Sequence, residues 1–470
     1  MAAGLAGLIA ALGAGAALAS PVGPATDRSR APLASAQGEP VGEEAVTPGV
    51  TLRWAVEGKA HLRDSERIRL PVNFDLADEG FPRETFVLET VSPGTHLDLS
   101  ALTLLLDASW GSALRARAKI DVVDLHDRNP TSSDRKVDID ELWLRWGQET
   151  ATATLPARAG AYLKLGKLPK FERQDDRHLE SYGLVATAFN RFEDIGIEAG
   201  AELAHVYLKA TVTEGNPVFL RDPDALAGDH GTPDLLAPGG GRALGSGVPI
   251  LYDTETEDVA SASEPEVGAG VGVRWAGPAG VWGLEALAWG YRRELAPRAE
   301  LYGTFYGGDL DLLRGPFDRH PFPIRGDDKR EVGGNLWAYR GGASLFVQVV
   351  DQDLAGLGRQ GLELEGAWSF ELPLRWAVAG EQLLPRVAPA LRYSRLEHDF
   401  RSPPVTPSPS LSWDWQKWDA GVRLILLSTA DLTLEIADHE FVLGSGRRVS
   451  RREALATLSW RVRGERPVPP

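Results

Sequence analysis

The sequence predicts an all-β fold, a transmembrane antiparallel β-barrel of about 16 strands (18 possible), with short periplasmic turns and long extracellular loops. Three observations lead to this prediction. Stretches of about 10 residues that alternate apolar and polar side chains recur along the chain, and such strands suit a tilted crossing of a bilayer. Long and short connections between these stretches broadly alternate. After the N-terminus, no apolar run approaches the roughly 20 residues that a transmembrane helix needs.

Composition excludes several classes of protein. The chain has 470 residues, no cysteine and a formal net charge of −16. Without cysteine there is no disulfide framework and no thiolate metal site. The negative charge argues against a nucleic-acid binder. We therefore predict no cofactor, no metal ion and no nucleic-acid partner.

The chain is predicted to divide into four segments. Residues 1–19 are apolar and end in Ala17-Leu18-Ala19, which is typical of a cleaved signal peptide. No Lys or Arg precedes this apolar run, so a flexible Ala/Gly tail is the alternative. Residues 20–50 form a Pro/Ala/Gly-rich linker, 51–463 the barrel and 464–470 a C-terminal tail.

Residues 203–213 show the alternation most clearly. Apolar residues occupy one face, namely Ala204, Val206, Leu208, Ala210 and Val212. Polar or aromatic residues occupy the other, namely His205, Tyr207, Lys209, Thr211 and Thr213. A soluble sandwich would turn the apolar face inward, whereas a membrane barrel turns it to lipid. Strand length, the export signal and tryptophans near strand ends favour the barrel. The tryptophans expected there are Trp54, Trp110, Trp146, Trp275, Trp413, Trp415, Trp418 and Trp460.

The alternating stretches divide into individual strands. They lie at residues 52–63, 96–109, 113–124, 137–146, 161–167, 193–201, 203–213, 266–275, 281–292, 334–340, 343–351, 361–370, 387–397, 417–427, 432–441 and 454–462. A hairpin within residues 64–95 would raise the number of strands to 18. The connection at residues 371–386 fits poorly as a tight turn.

Three segments resemble the phosphate-selective and general porin families of the Gram-negative outer membrane. They are AYLKLGKLPKFERQDDRHLES, ALRYSRLEHDF, and WDAGVRLILLSTADLTLEIADHEF with ALATLSWRV. The resemblance covers about a third of the chain and implies a porin-like barrel. Two features depart from the family: the last strand is followed by GERPVPP instead of a terminal aromatic residue, and the arginine-rich stretch is reduced to LRARAK. Phosphate selectivity is therefore not inferred.

In a barrel, the polar faces of the strands line the lumen. The predicted pore-lining residues are Arg53, Lys59, Arg115, Arg117, Lys119, Lys164, His205, Lys209 and Arg423. Acidic residues also point inward, so the ion preference stays open. The loop at residues 169–190 either folds inward as a constriction or lies solvated at the surface. Its candidate constriction residues are Lys170, Arg173, Asp175, Asp176 and Arg177.

Other candidate sites are weak. Asp222, Asp224 and Asp229 do not have EF-hand spacing, and Asp is common in turns. The glycines at 268, 270 and 272 are not followed by a helix, so they do not form a nucleotide loop. The chain has neither a G-x-S-x-G nor an H-E-x-x-H motif, and we expect that the protein is not an enzyme.

The predicted function is a porin-like channel of the Gram-negative outer membrane. Small hydrophilic solutes or ions would pass by diffusion, and the outer-membrane lipid would be the other partner. A homotrimer is an open option. The alternatives are an adhesion or structural barrel with partner-binding loops and an outer-membrane hydrolase.

Overall fold

A computed structural model describes most of the chain from Val50 onward. The described residues are 50–66, 69–74, 84–89, 94–124, 137–147, 159–173, 177–181, 183–189, 193–215, 265–277, 281–297, 310–314, 322–378, 380–400, 414–442 and 446–468. The predicted signal peptide and all but the last residue of the predicted linker lie outside these residues.

Sixteen antiparallel strands form one closed wall. They are β1 (Val50–Ser65), β2 (Gly94–Trp110), β3 (Leu114–Asp124), β4 (Asp138–Gly147), β5 (Gly160–Pro169), β6 (Glu193–Leu203), β7 (Val206–Thr213), β8 (Glu266–Ala276), β9 (Trp282–Glu294), β10 (Asp328–Arg340), β11 (Ala343–Leu354), β12 (Leu357–Trp368, continued by Phe370–Glu371), β13 (Arg386–His398), β14 (Asp414–Leu427), β15 (Ala430–Val442) and β16 (Arg448–Val468). Each strand pairs with its neighbours in the chain, and β16 pairs with β1 to close the barrel. A circuit through the paired residues advances by about 20 residues along the strands, the stagger that tilts the strands of a closed barrel.

The number of strands and their approximate positions confirm the prediction. The alternative of 18 strands is wrong, because the hairpin of Arg69–Phe74 and Glu84–Glu89 pairs only with itself and stays outside the wall. The C-terminal boundary also differs. β16 continues to Val468, where it pairs with Val50, so most of the predicted tail is strand.

The connections differ at the two ends of the barrel, which we call the turn end and the loop end. Two-residue turns at 204–205, 341–342 and 428–429 lie at the turn end. The loop end carries most of the long connections, the longest being residues 214–265. One tight turn, Ala355-Gly356, is an exception because it lies at the loop end. The connection at 372–385 is a long one at the turn end and contains a small hairpin, as its poor fit to a tight turn anticipated.

The outward face of the wall is apolar. On β7, Leu208 is 55% exposed although it lies in the middle of a strand, while its inward-facing neighbour Tyr207 is 4% exposed. The same arrangement, in which the outward apolar side chain is exposed and its inward neighbour is buried, recurs around the barrel. Outward residues with large exposure include Leu142, Ile195, Ile197, Val212, Val267, Val271, Val349 and Leu391. Apolar side chains exposed in such numbers match the lipid-facing band of a membrane barrel.

Tryptophan marks the turn-end edge of this apolar band. Five exposed tryptophans lie at or next to strand ends there, namely Trp110, Trp146, Trp275, Trp282 and Trp368. This is where the amphipathic indole ring meets a membrane interface. Trp415 was predicted to belong to such a girdle, but the structure places it inside the barrel at 1% exposure. Trp413 lies outside the described residues.

Charged side chains mark the other edge. Toward the loop end of β10 to β16, the outward residues change from apolar to charged. They include Arg330, Asp351, Asp353, Arg395, Asp438 and Arg452. Arg452 Nε donates to Asp438 Oδ1 at 2.7 Å across the β15–β16 pair, and both side chains are more than half exposed. These strands therefore extend beyond the apolar band into water.

Helix is almost absent from the described residues. Two helices of five residues each occur, α1 (Leu184–Ala188) and α2 (Leu310–Arg314). Neither approaches the length or apolarity needed to cross a bilayer. α2 belongs to a small apolar cluster at the loop end with Leu295, Phe322, Leu354 and Leu357, which covers the tight turn at Ala355-Gly356.

Candidate channel and its inner loop

The inner surface of the wall is polar because the polar face of each alternating strand points inward. Three predicted pore-lining residues, Lys59, Arg117 and Lys119, face inward and keep part of their side chains exposed. Each is paired with carboxylates: Lys59 Nζ with Glu180 Oε2 at 2.6 Å, Arg117 Nε with Glu141 Oε2 at 3.1 Å, and Lys119 Nζ with Asp121 Oδ2 at 3.6 Å and also with Asp140. These cations can therefore contact a solute while their positions are fixed.

Three others face inward but are buried. Arg115 Nε donates to Asp107 Oδ1 at 2.8 Å, Lys164 Nζ lies 3.1 Å from Glu198 Oε1, and Arg423 Nη2 lies 3.0 Å from Asp431 Oδ2. The charged groups of Arg115 and Lys164 also lie 5.8 and 5.1 Å from the ring centre of Trp143. These residues stiffen the wall more than they present charge to the lumen.

The remaining predicted pore-lining residues lie toward the turn end. Arg53 Nε pairs with Glu465 Oε2 at 3.1 Å, and Lys209 is half-buried with its Nζ 6.0 Å from the Tyr207 ring centre. His205 does not line the lumen, contrary to the prediction. It lies in the turn between β6 and β7, exposed, with Nδ1 3.0 Å from the carbonyl oxygen of Arg274. The preceding Ala204 has a φ of 56°, and the reversal at 204–205 lies about two residues later in the chain than the predicted reversal between residues 201 and 203.

The described residues of the connection between β5 and β6, namely 170–173, 177–181 and 183–189, enter the barrel. We call this segment the inner loop. Its first part is tied to β8–β11: Lys170 Nζ pairs with Glu266, and the carbonyl oxygen of Glu172 accepts from Asn335 Nδ2 at 2.5 Å. The Phe171 ring stacks on Tyr291 with centres 5.5 Å apart.

Its second part is tied to the opposite side of the wall. The backbone N–H groups of Glu180 and Ser181 donate to Glu435 Oε2 on β15 at 3.0 and 3.3 Å. The His178 N–H donates to Glu365 Oε1 on β12 at 2.9 Å. Together with the Lys59–Glu180 pair on β1, these contacts carry the inner loop across the lumen. The described part of the loop thus folds inward, the first of the two predicted arrangements.

The candidate constriction residues take different positions in this arrangement. Arg173 pairs with Glu193 at the start of β6, and the carbonyl oxygen of Arg177 accepts from Arg423 Nη1 at 3.4 Å. Lys170 is 6% exposed and anchors the loop without facing the lumen. Asp175 and Asp176 lie outside the described residues.

α1 gives the inner loop an apolar anchor. Leu184, Val185 and Phe189 are at most 1% exposed and pack with Leu396, Trp415, Phe441 and Val449 on the inward face of β13–β16. Glycine at 361 on β12 leaves the space that the Phe189 ring fills, because a Cβ there would lie 2.5 Å from Phe189 Cε2. This side of the barrel is consequently filled by protein.

A buried charge cluster lies beneath the inner loop. Arg392 is 0% exposed; its Nε donates to Asp419 Oδ2 at 2.9 Å, and its other nitrogens lie 3.6 Å from Glu365 and 3.8 Å from Glu435. Lys417 Nζ lies 3.1 Å from Asp419 Oδ1. Sequence reasoning missed this cluster. The alternation within residues 387–397 and 417–427 is a signal that could have found it, since the structure pairs Arg392 and Asp419 directly across β13 and β14.

One group of carboxylates has the proximity of a metal site. Oxygens of Asp140, Glu141 and Glu193 lie within 4.8 Å of one another. Each of these side chains, however, is engaged by a cation of the protein: Lys119, Arg117 and Arg173 respectively. The cluster is therefore neutralised without a metal ion. Asp222, Asp224 and Asp229 lie outside the described residues.

The inward glycines of β8 have a packing role. Positions 268 and 272 lie against the rings of Tyr291 and Tyr207, and position 270 lies against Phe171 of the inner loop. A side chain at any of these positions would displace an aromatic ring. Close packing thus accounts for the glycine stripe without a ligand.

Comparison with known proteins gives distant likenesses only. No protein-family profile and no curated protein matches the chain. Among solved structures, the outer membrane channel DcaP of Acinetobacter baumannii is 9% identical with a TM-score of 0.48, covering 90% of this chain and 100% of that one. OprB of Pseudomonas putida is 8% identical with a TM-score of 0.48, covering 88% and 94%. The trimer form of OmpT, an outer membrane protein of Vibrio cholerae, is 10% identical with a TM-score of 0.45, covering 88% and 100%. The assignment of the fold as a closed barrel rests on the strand register described above.

Proposed function

We propose that the protein is an outer-membrane channel through which small hydrophilic solutes or ions diffuse. The observation that carries this proposal is the inward face of β1 and β3. There Lys59, Arg117 and Lys119 face the interior and retain exposed side chains, whereas the inner faces of β13–β16 are packed against the inner loop. A path lined by hydrated charges supports permeation without any catalytic chemistry.

The inner loop sets the width of this proposed path. It is held at both sides of the wall, so it narrows the lumen as a fixed element. We infer that solutes are selected by size and by contact with the lining charges, with no bond made or broken. Export by the N-terminal segment, a Gram-negative outer membrane as the location and assembly as a homotrimer belong to the same proposal.

Purified protein inserted in a planar lipid bilayer tests the channel. We expect discrete, stepwise increases in ion conductance, and none from protein unfolded by heat before addition. If folded, heat-modifiable protein gives no conductance at any voltage, the lumen is closed and the channel proposal fails. Hydrolysis of a panel of esters and lipids by the same preparation would contradict the expectation that the protein has no enzyme activity. Cross-linking in detergent tests for the homotrimer.

A further inference from the structure

We propose that the channel prefers anions, because four ion pairs of its interior leave the cation more exposed than the carboxylate. This inference rests on the proposed channel function and adds the class of solute. It concerns four cations, Lys59, Arg117, Lys119 and Arg173, which we call the basic face.

The two members of each ion pair differ in exposure. The exposed fractions of the side chains, cation first, are 36% and 3% for Lys59–Glu180, 16% and 10% for Arg117–Glu141, 25% and 14% for Lys119–Asp140, and 31% and 6% for Arg173–Glu193. In all four pairs the cation is the more exposed partner. At these four pairs a solute therefore meets ammonium and guanidinium groups before it meets their carboxylates.

The four cations come from three parts of the chain, and three of them pair with one cluster of carboxylates. Arg117 and Lys119 lie on β3, Lys59 lies on β1, and Arg173 comes from the inner loop. Three of the carboxylates, those of Asp140, Glu141 and Glu193, cluster behind them. The wall side of the cluster thus holds the negative charge, and the lumen side holds the positive charge.

Two inward-facing ion pairs nearer the turn end have the opposite polarity, whereas two others, Arg115–Asp107 at 6% and 4% and Lys164–Glu198 at 10% and 1%, again leave the cation more exposed. In the pair of Arg53 with Glu465 the carboxylate is the more exposed partner, at 55% against 25%. The pair of Arg274 with Glu285 shows the same order, at 31% against 15%. The interior thus presents carboxylates at Glu465 and Glu285, and the cationic surface does not extend along the whole lumen.

The distances of the two charges of each pair from the solute decide whether anions or cations are favoured. Each ion pair is formally neutral, but Coulomb energy falls with separation, so the nearer cation outweighs the carboxylate behind it. The effect reaches about 10 Å at 0.1 M salt and should weaken as salt rises. Small inorganic and carboxylate anions are the class of solute that this surface attracts.

The test is the reversal potential of single channels in a tenfold KCl gradient. We expect the permeability ratio of chloride to potassium to be about 3 at low salt. It should approach 1 at about 1 M salt, where charges are screened within about 3 Å. The double variant Lys59→Gln with Arg117→Gln should bring the low-salt ratio close to 1. The matched control, Arg448→Gln with Arg452→Gln, removes two arginines of the outward charged edge and should leave the ratio unchanged.

The outcomes separate the two proposals. A conducting channel with a ratio below 1, or one whose ratio is the same in the Lys59/Arg117 variant, overturns the anion preference and leaves the channel in place. An absence of conductance in the wild-type protein overturns the channel itself. Acetate in place of chloride extends the test, since a carboxylate anion should also permeate better than potassium.

Discussion

Arg392 provides a sharp test of the buried charge cluster. The substitution Arg392→Met keeps an unbranched side chain of similar reach but removes the guanidinium group. It leaves Lys417 as the cation 3.1 Å from Asp419 and removes the positive charge near Glu365 and Glu435, so the buried cluster keeps an excess of carboxylates. Breaking a buried ion pair from one side costs about 3–5 kcal/mol, because the remaining charge cannot be hydrated.

The chain offers a matched control in Arg452→Met. Arg452 also donates to an aspartate across neighbouring strands, at 2.7 Å to Asp438, but the two side chains are 59% and 51% exposed. An exposed pair of this kind contributes about 0–1 kcal/mol. The structure therefore predicts a difference of about 2–5 kcal/mol between two substitutions that are chemically identical.

The measurement is urea unfolding of the barrel in lipid vesicles, followed by tryptophan fluorescence under conditions where folding is reversible. Both variants should keep the slope of the wild-type transition, and Arg392→Met should shift the midpoint to lower urea. Equal midpoints for the two variants would show that the interior around Arg392 is hydrated, which contradicts the packing of the inner loop described here.

Two further predictions concern the inner loop and the lipid-facing surface. Gly361→Leu should displace the Phe189 ring and raise single-channel conductance, whereas Gly366→Leu on the outward face of β12, where the nearest atom to a Cβ is 3.9 Å away, should not. Equal conductance in both variants would show that the packing of Phe189 does not limit the width of the lumen. Leu208→Arg should destabilise the barrel by about 2–4 kcal/mol in urea titrations, because it places a charge in the apolar band, while Leu208→Val should cost little. If the Val substitution proves as costly as the Arg substitution, Leu208 is packed in a dry core and the barrel is inside out.

The wall was predictable from the sequence because each strand carries its own signal. Alternation in residues 203–213 distinguishes Leu208 from Lys209 without any knowledge of other strands, and the structure exposes the first and turns the second inward. The same rule located sixteen strands. It failed at His205, where a two-residue turn interrupts an alternation that continues through it.

The interior was predictable only in part, because its contacts join residues far apart in the chain. The sequence identified Lys59 and Arg117 as inward-facing, but the difference in exposure between Lys59 and Glu180 arises where β1 meets the inner loop. Likewise, nothing local to Ser181 indicates that it contacts Arg392, 211 residues later. Alternation indicates which face of a strand a residue occupies, and the three-dimensional fold decides whether that face is exposed to solvent.

The anchoring of the inner loop also has a consequence for assembly of the protein. The backbone of Glu180 is held by Glu435, which is 255 residues further along the chain. The surface that receives α1 therefore does not exist until β12–β15 have joined the wall, and contacts between such distant residues form late in folding. If the wall closes before the loop seats, the lumen is wider at that stage, and we expect ion leakage across the membrane to last until the loop is in place.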